Sequence, residues 1–148
     1  MGAEVQEFKV RRNAVYVGMV ALMLSTGPVF AQQDTDVVTK QYEDGGLYEG
    51  TFKNGKQDGK GTYRLPNGYE YSGDWVDGEI LGQGIARFPN GSVYEGAFAK
   101  GKPEGSGKIT FADGGTYEGD WVDGKINGTG IAIYSNGVKY EGGFKDAS

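Results

Sequence analysis

The chain contains no cysteine and no histidine in its 148 residues. The first absence excludes disulfides, thiol redox chemistry, a cysteine nucleophile and thiolate zinc sites; the second removes imidazole both as general base and as metal ligand. Proline is also scarce, at four residues, so the 28 glycines belong neither to a collagen-like chain nor to a proline-rich linker. Outside residues 14–25 no segment shows a long apolar run, and none shows sustained apolar spacing at the helical period. Aromatic residues make up 13% of the chain. Their rings carry enough apolar area to argue against simple disorder. The composition therefore points to one all-β unit of turns and short strands.

The first 31 residues form a different object. Lys9, Arg11 and Arg12 make a basic end, AVYVGMVALMLS (14–25) is an uncharged apolar stretch, and Val29 and Ala31 occupy the small-residue positions before a cleavage point. This reads as a helical, cleavable signal peptide over 1–31. A retained anchor fits less well, because a span needs about 20 apolar residues and Gly27 and Pro28 interrupt this run. The expected location is periplasmic or extracellular. Loss of the segment removes three basic residues (Lys9, Arg11, Arg12) and two acidic ones (Glu4, Glu7), leaving 12 against 18 and a charge of -6. Such a chain has little attraction for nucleic acid or anionic head groups. Residues 32–43 are polar and without pattern, and read as a flexible leader.

From Tyr48 the chain repeats every 23 residues. The tyrosines stand at 48, 71, 94, 117 and 140, and each is followed four residues later by a second ring: Phe52, Trp75, Phe98, Trp121 and Phe144. Fixed spacing without insertion marks a stacked repeat architecture. An echo at 46 residues overlies the period: YSGDWVDG (71–78) returns as YEGDWVDG (117–124). The motif Y-E-G-x-W/F-x-x-G-x-x-x-G-x-G at this spacing, over residues 44–148, resembles the MORN (membrane occupation and recognition nexus) repeat. That resemblance implies an elongated, single-layer antiparallel sheet of stacked β-hairpins, used for assembly or interaction and sometimes attached to an enzyme. The family name implies membrane contact.

The residues support hairpins independently. Asn67-Gly68, Asn90-Gly91, Asp113-Gly114 and Asn136-Gly137 predict tight two-residue turns, with NGKQDG (54–59) and its equivalents as the longer connection. Strand alternation then predicts a register in which facing residues of the first unit sum to 113, so that Phe52 meets Gly61, Gly50 meets Tyr63 and Tyr48 meets Leu65. In the same register Trp75 meets Gly84 and Trp121 meets Gly130. Ala86 and Ala132 beside the tryptophans, against Tyr63 and Ile109 in the phenylalanine units, suggest compensation of volume as the cause of the echo. Gly50, Gly61 and their equivalents leave room for a ring from a neighbouring strand.

Motifs for chemistry are weak. GKPEGSGKIT (101–110) approaches a phosphate-binding loop, but Gly101 and Gly107 are six apart and Ile109 follows Lys108 where serine or threonine is required. Asp74, Asp77, Glu79, Asp120 and Asp123 lack the ligand ladder of a calcium loop and read as solvated acids. Lys53, Lys56, Lys60 and Arg64 make a modest basic patch. No catalytic, metal or cofactor site is expected. The remaining candidate surface is the ring ladder (Tyr48, Phe52, Tyr71, Trp75, Tyr94, Phe98, Tyr117, Trp121, Tyr140, Phe144), for which packing is the default explanation. The expected function is an exported, non-catalytic scaffold that binds a protein partner or self-associates through the strand after Tyr140. The alternatives are a peripheral membrane module, or the repeat region of a longer enzyme.

Overall fold

The computed structural model describes residues 5–8 and 34–147. They form a single open antiparallel sheet of 11 strands in sequence order. The strands are β1 (Val5–Phe8), β2 (Asp34–Tyr42), β3 (Leu47–Lys53), β4 (Lys56–Arg64), β5 (Glu70–Val76), β6 (Glu79–Arg87), β7 (Val93–Ala99), β8 (Lys102–Thr110), β9 (Thr116–Val122), β10 (Lys125–Ile133) and β11 (Lys139–Ala147). No helix occurs among the described residues. Apart from β1, which pairs with β2, the segment 1–31 read as a signal peptide lies outside the described residues.

The leader expectation is corrected. Residues 34–42 are a strand, with Val38 opposite Gly50 and Lys40 opposite Tyr48. Val38 is buried, and the Lys40 ammonium lies 5.3 Å from the Phe52 ring centroid. An isolated polar nonapeptide gives no strand signal; the neighbouring edge of β3 supplies it, which is tertiary context overriding local pattern.

The two kinds of turn exchange places relative to the sequence reading. The tight two-residue turns are Asn54-Gly55, Asp77-Gly78, Lys100-Gly101 and Asp123-Gly124, each with positive φ at both residues, the type I′ signature. Asn67-Gly68 instead lies in a longer loop: Gly68 N donates to Leu65 O (3.1 Å), Leu65 N donates to Tyr69 O (2.9 Å), and only Gly68 of the pair has positive φ. That is a type I turn closed by a left-handed glycine, and it recurs at Gly91, Gly114 and Gly137.

The register moves accordingly. Tyr48 faces Tyr63 and Gly50 faces Gly61, a sum of 111 in place of 113; beyond a bulge, Phe52 faces Gln57. A two-residue displacement preserves the faces, so every residue expected to point inward still does. It changes the partners, however. Trp75 faces Gly59 and Ile80, and its ring rests on Tyr48 and Tyr63 of the preceding hairpin, with centroids at 5.1 and 6.2 Å. Ala86 faces Tyr71 and Tyr94, and Ala132 faces Tyr117 and Tyr140. The proposed compensation of tryptophan by alanine is therefore wrong: the indole leans across the hairpin before it, away from the alanine of its own.

In this register one row runs through the middle of the sheet as Gly50, Gly61, Gly73, Gly84, Gly96, Gly107, Gly119, Gly130 and Gly142. The row is the seat of the core. A Cβ on Gly61, Gly84, Gly107 or Gly130 would come within 2.1 to 2.7 Å of the tyrosine side chain that crosses it, closer than any carbon can stand. The expectation of glycine beneath a ring holds, with tyrosine as the ring.

Candidate functional site

All ten rings of the sequence-derived ladder meet in one continuous zipper. Tyr48 packs edge-to-face on Phe52 and Trp75, Tyr71 on Trp75 and Phe98, Tyr94 on Phe98 and Trp121, and Tyr117 on Trp121 and Phe144, with centroids 4.9 to 5.6 Å apart; Tyr140 continues on Phe144 at 5.0 Å. Such pairs contribute about 0.5–1.5 kcal/mol each beyond the area they bury. Tyr48, Tyr71, Tyr94 and Tyr117 are fully buried, whereas Tyr140 is 43% exposed.

Burial of a phenol requires a partner for its hydroxyl. Each ladder tyrosine donates to the carbonyl three residues on: Thr51, Asp74, Ala97, Asp120 or Gly143, at 2.7 to 2.9 Å. Desolvation holds the neutral form. It raises the pKa values of Tyr48, Tyr71 and Tyr117 and pushes Tyr94 up to about 12, with Glu104 adding to the last effect. The tryptophans are tied down similarly, Trp75 Nε1 donating to Gly61 O and Trp121 Nε1 to Gly107 O, both at 3.0 Å.

Two of the acids considered for calcium or catalysis, Asp74 and Asp120, hold the backbone. Asp74 Oδ2 accepts from Gln83 N and Asp120 Oδ2 from Thr129 N, both at 2.9 Å, across the bulges where Gly82 and Gly128 have positive φ. The Lys60 ammonium hydrogen-bonds Asp74, and that bond, followed by the one from Gln83 N, lowers the Asp74 pKa. Asp77 and Asp123 open type I′ turns, and their amides donate to Asp58 Oδ2 (3.0 Å) and Glu104 Oε1 (2.8 Å). Here the 46-residue echo finds its cause. Each phenylalanine unit supplies a carbonyl and an acid that the next, tryptophan unit engages with its indole N–H and turn amide. No group of three potential ligands able to hold a metal occurs among the described residues.

The phosphate-loop resemblance dissolves in the same way: Gly101 is in a type I′ turn, and Gly107 sits in mid-strand between Gly96 and Gly119. Arg64 of the basic patch pairs with Glu70 at 3.1 Å and lies 3.9 Å from Glu49.

Above the ladder lies a groove of about 750 Å³. Tyr94, Phe98 and Trp121 line its floor, Phe88 and Phe111 stand on the loop side, and Pro103 and Ile126 follow the tight turns. Smaller hollows flank it, one beside Tyr42, Tyr63 and Trp75 and one beside Tyr117 and Phe144. The walls were not legible as a site in the sequence because their residue types vary from unit to unit, unlike the ladder tyrosines. The signal was present in two further columns at the same period: Leu65, Phe88, Phe111 and Tyr134, and Ile80, Pro103 and Ile126.

An open sheet of hairpin repeats, with its rings buried in a zipper and its acids engaged by backbone amides, defines a class of repeat protein built around surfaces. The model of the MORN repeat matches residues 48–68, 71–93, 94–116 and 117–139, more than half of the chain, and the chain belongs to that family. Among curated proteins it is similar to alsin of Rattus norvegicus, 40% identical over 58 residues, and to alsin of Homo sapiens, 38% identical over 58 residues. Each match covers 36% of this chain and only 4% of alsin's length. A solved structure, the SAS-4 (dCPAP) TCP domain of Drosophila melanogaster in complex with a proline-rich motif of Ana2 (dSTIL), aligns over 80% of this chain and 95% of its own with a TM-score of 0.32 and 16% identity.

Proposed function

We propose that this is an exported, non-catalytic assembly module that holds an extended, apolar segment of a partner protein in the groove above the ring ladder. The observation that supports this most is the groove itself: its walls are built from repeat-periodic apolar side chains, while its polar groups stand at its sides, Asn90 in a loop and Lys102 and Lys125 at the strand starts that follow the tight turns. It is open along the sheet and adjoins further hollows on the same face, which suits an extended chain better than a small molecule. The net charge of -5 opposes nucleic acid and anionic membrane as alternatives. Export rests on the basic and apolar pattern before Ala31. Cleavage there precedes Asp34, so it leaves β2 to β11 intact, and the intact mass of the mature protein is expected to begin at Gln32.

Site-specific photocrosslinking tests the binding reading. A photoreactive residue at Phe111, in the groove, is expected to trap one discrete protein in cells, whereas the same residue at Ser106, on the opposite face, traps none. The trapped protein should bind the purified chain and lose that binding on Phe111→Asp. Equal trapping from both positions, or none, overturns the groove as the site. Flotation of the purified chain with anionic vesicles, abolished by Phe111→Asp, would replace the protein partner with a membrane.

A further inference from the structure

Asparagine is followed by glycine five times in the chain, at Asn54, Asn67, Asn90, Asn127 and Asn136. The pair is chemically labile, because a glycine amide nitrogen, with no Cβ to hinder it, can attack the asparagine side-chain carbonyl. The fold treats the five differently. At Asn67, Asn90 and Asn136 both reacting groups are held: each Oδ1 accepts from the amide two residues on (Tyr69, Ser92 or Val138) at 2.8 to 2.9 Å, and the nitrogens of Gly68, Gly91 and Gly137 donate to Leu65 O, Phe88 O and Tyr134 O at 2.8 to 3.1 Å. Asn127 stands within β10, its Nδ2 donating to Asp146 Oδ1 at 3.2 Å. Asn54 and Gly55 are the two exposed residues of the tight turn between β3 and β4. Among the described residues neither the Asn54 side chain nor the Gly55 N–H has a hydrogen-bond partner. The equivalent turn glycines Gly78, Gly101 and Gly124 donate to Gln57 O, Ile80 O and Pro103 O at 2.8 to 3.2 Å.

We propose that Asn54 is a self-modification site, at which the turn deamidates through a cyclic imide with water as the co-reactant. Gly55 N gives its proton to solvent hydroxide and bonds to Asn54 Cγ, and the Cγ–Nδ2 bond breaks to release ammonia. Water then opens the ring on either side. Cleavage of the new N–Cγ bond gives aspartate; cleavage of the bond from the same nitrogen to the main-chain carbonyl carbon gives isoaspartate. The turn is shaped to hold the ring. Closure eclipses Gly55 N with Cβ about the Cα–C bond, which for an L residue sets ψ to about −120°, and this ψ with a φ of about 60° defines the first central residue of a type II′ turn. Asn54 already has a φ of 53°. Types I′ and II′ both join two strands through two residues, so rotation of the Asn54–Gly55 peptide unit reaches the ring geometry with β3 and β4 still paired. The aspartate product fits as well, since Asp77 and Asp123 fill the same position in later units at φ 54° and 52°. Isoaspartate instead routes the backbone through Cβ, lengthening the turn between the facing Lys53 and Lys56, and so marks the age of the molecule. Asn54 lies outside the groove lining, and the modification is independent of what the groove binds.

Digestion after glutamate releases residues 50–70 as one peptide that carries both Asn54 and Asn67, so the two sites are compared within a single fragment. The purified, folded chain is incubated at mildly alkaline pH and sampled over time. Fragment-ion mass spectrometry is expected to place the mass gain of amide-to-acid conversion at Asn54 roughly tenfold faster than at Asn67, where two hydrogen bonds must open first. Asn90 and Asn136 should lag in the same way. In concentrated urea the advantage should vanish, with all the sites reacting at similar rates. Equal rates in the folded chain, a faster Asn67, or a ratio that survives in urea overturns the proposal. Asn54→Asp should keep the urea midpoint of the parent; a lowered midpoint overturns the claim that the turn accepts its aspartate product.

Discussion

Replacing Tyr94 with alanine is expected to lower stability by about 3–5 kcal/mol, the range for deleting a large buried ring. Tyr94 is fully buried. Its ring packs at 5.0 Å on both Phe98 and Trp121, crosses Gly107, and donates its hydroxyl to Ala97 O at 2.7 Å. Among the described residues no second layer covers the sheet, and the flanking glycines have no side chains with which to fill the hole. Stability in repeat arrays is approximately a sum of unit and nearest-neighbour terms, and Tyr94 lies in the middle of the zipper. The loss should therefore appear as uncoupling as well as weakening. Urea denaturation of Tyr94→Ala is expected to show a lower midpoint and either a reduced slope or two transitions, the units on each side of residue 94 melting separately. Tyr94→Phe, which keeps the ring and strands the Ala97 carbonyl, should cost about 1 kcal/mol. An alanine variant within 1 kcal/mol of the parent, melting in one transition of unchanged slope, would show that the zipper does not couple the repeats.

How far this zipper was legible depends on which physical signal each part carries. The rings at 48, 52 and their equivalents were found because tyrosine and a second aromatic four residues later share one face of a strand, and because 23-residue spacing without insertion admits only a stacked arrangement. The faces followed from alternation alone. The turns were misread because Asn54-Gly55 and Asn67-Gly68 are the same dipeptide in two different conformations. A type I′ turn and a type I turn with a left-handed glycine both select asparagine and glycine, and the distinction rests on loop length, which the pairing of Lys53 with Lys56 settles. The bulges were hidden for a related reason. Gly59, Gly82, Gly105 and Gly128 look in sequence like further members of the glycine row, yet they supply the positive φ at the irregularity. Asp74 and Asp120 looked like surface acids because their role, accepting an amide nine residues away, exists only once the bulge does. The strand at 34–42 carried no local signal at all.

Stability should be flat through neutral pH and fall steeply between pH 10 and pH 12, because the zipper holds several phenols in their neutral form. The sign follows from the direction of the shifts. Desolvation raises the pKa of Tyr48, Tyr71, Tyr94 and Tyr117 in the folded chain, whereas in the unfolded chain a phenol titrates near 10. Below pH 10 both states are neutral, and the stability from burial is fully present. Above it the unfolded state releases protons that the fold retains, and the stability drains away as pH rises through the folded value. For Tyr94, held at about 12, the two-unit difference amounts to about 3 kcal/mol by the time the folded phenol ionises. Tyr94→Phe isolates this contribution. At pH 8 the variant should be slightly less stable than the parent, having lost a hydroxyl bond; near pH 11.5 it should be the more stable, having lost a group whose ionisation favours unfolding. Urea midpoints of the two proteins measured across this range should therefore cross, and the parent's phenolate absorbance should rise together with its loss of sheet signal. Parallel midpoints from pH 8 to pH 12 would show that the Tyr94 hydroxyl titrates in contact with solvent, and would contradict the closed, edge-to-face packing on which the ladder depends.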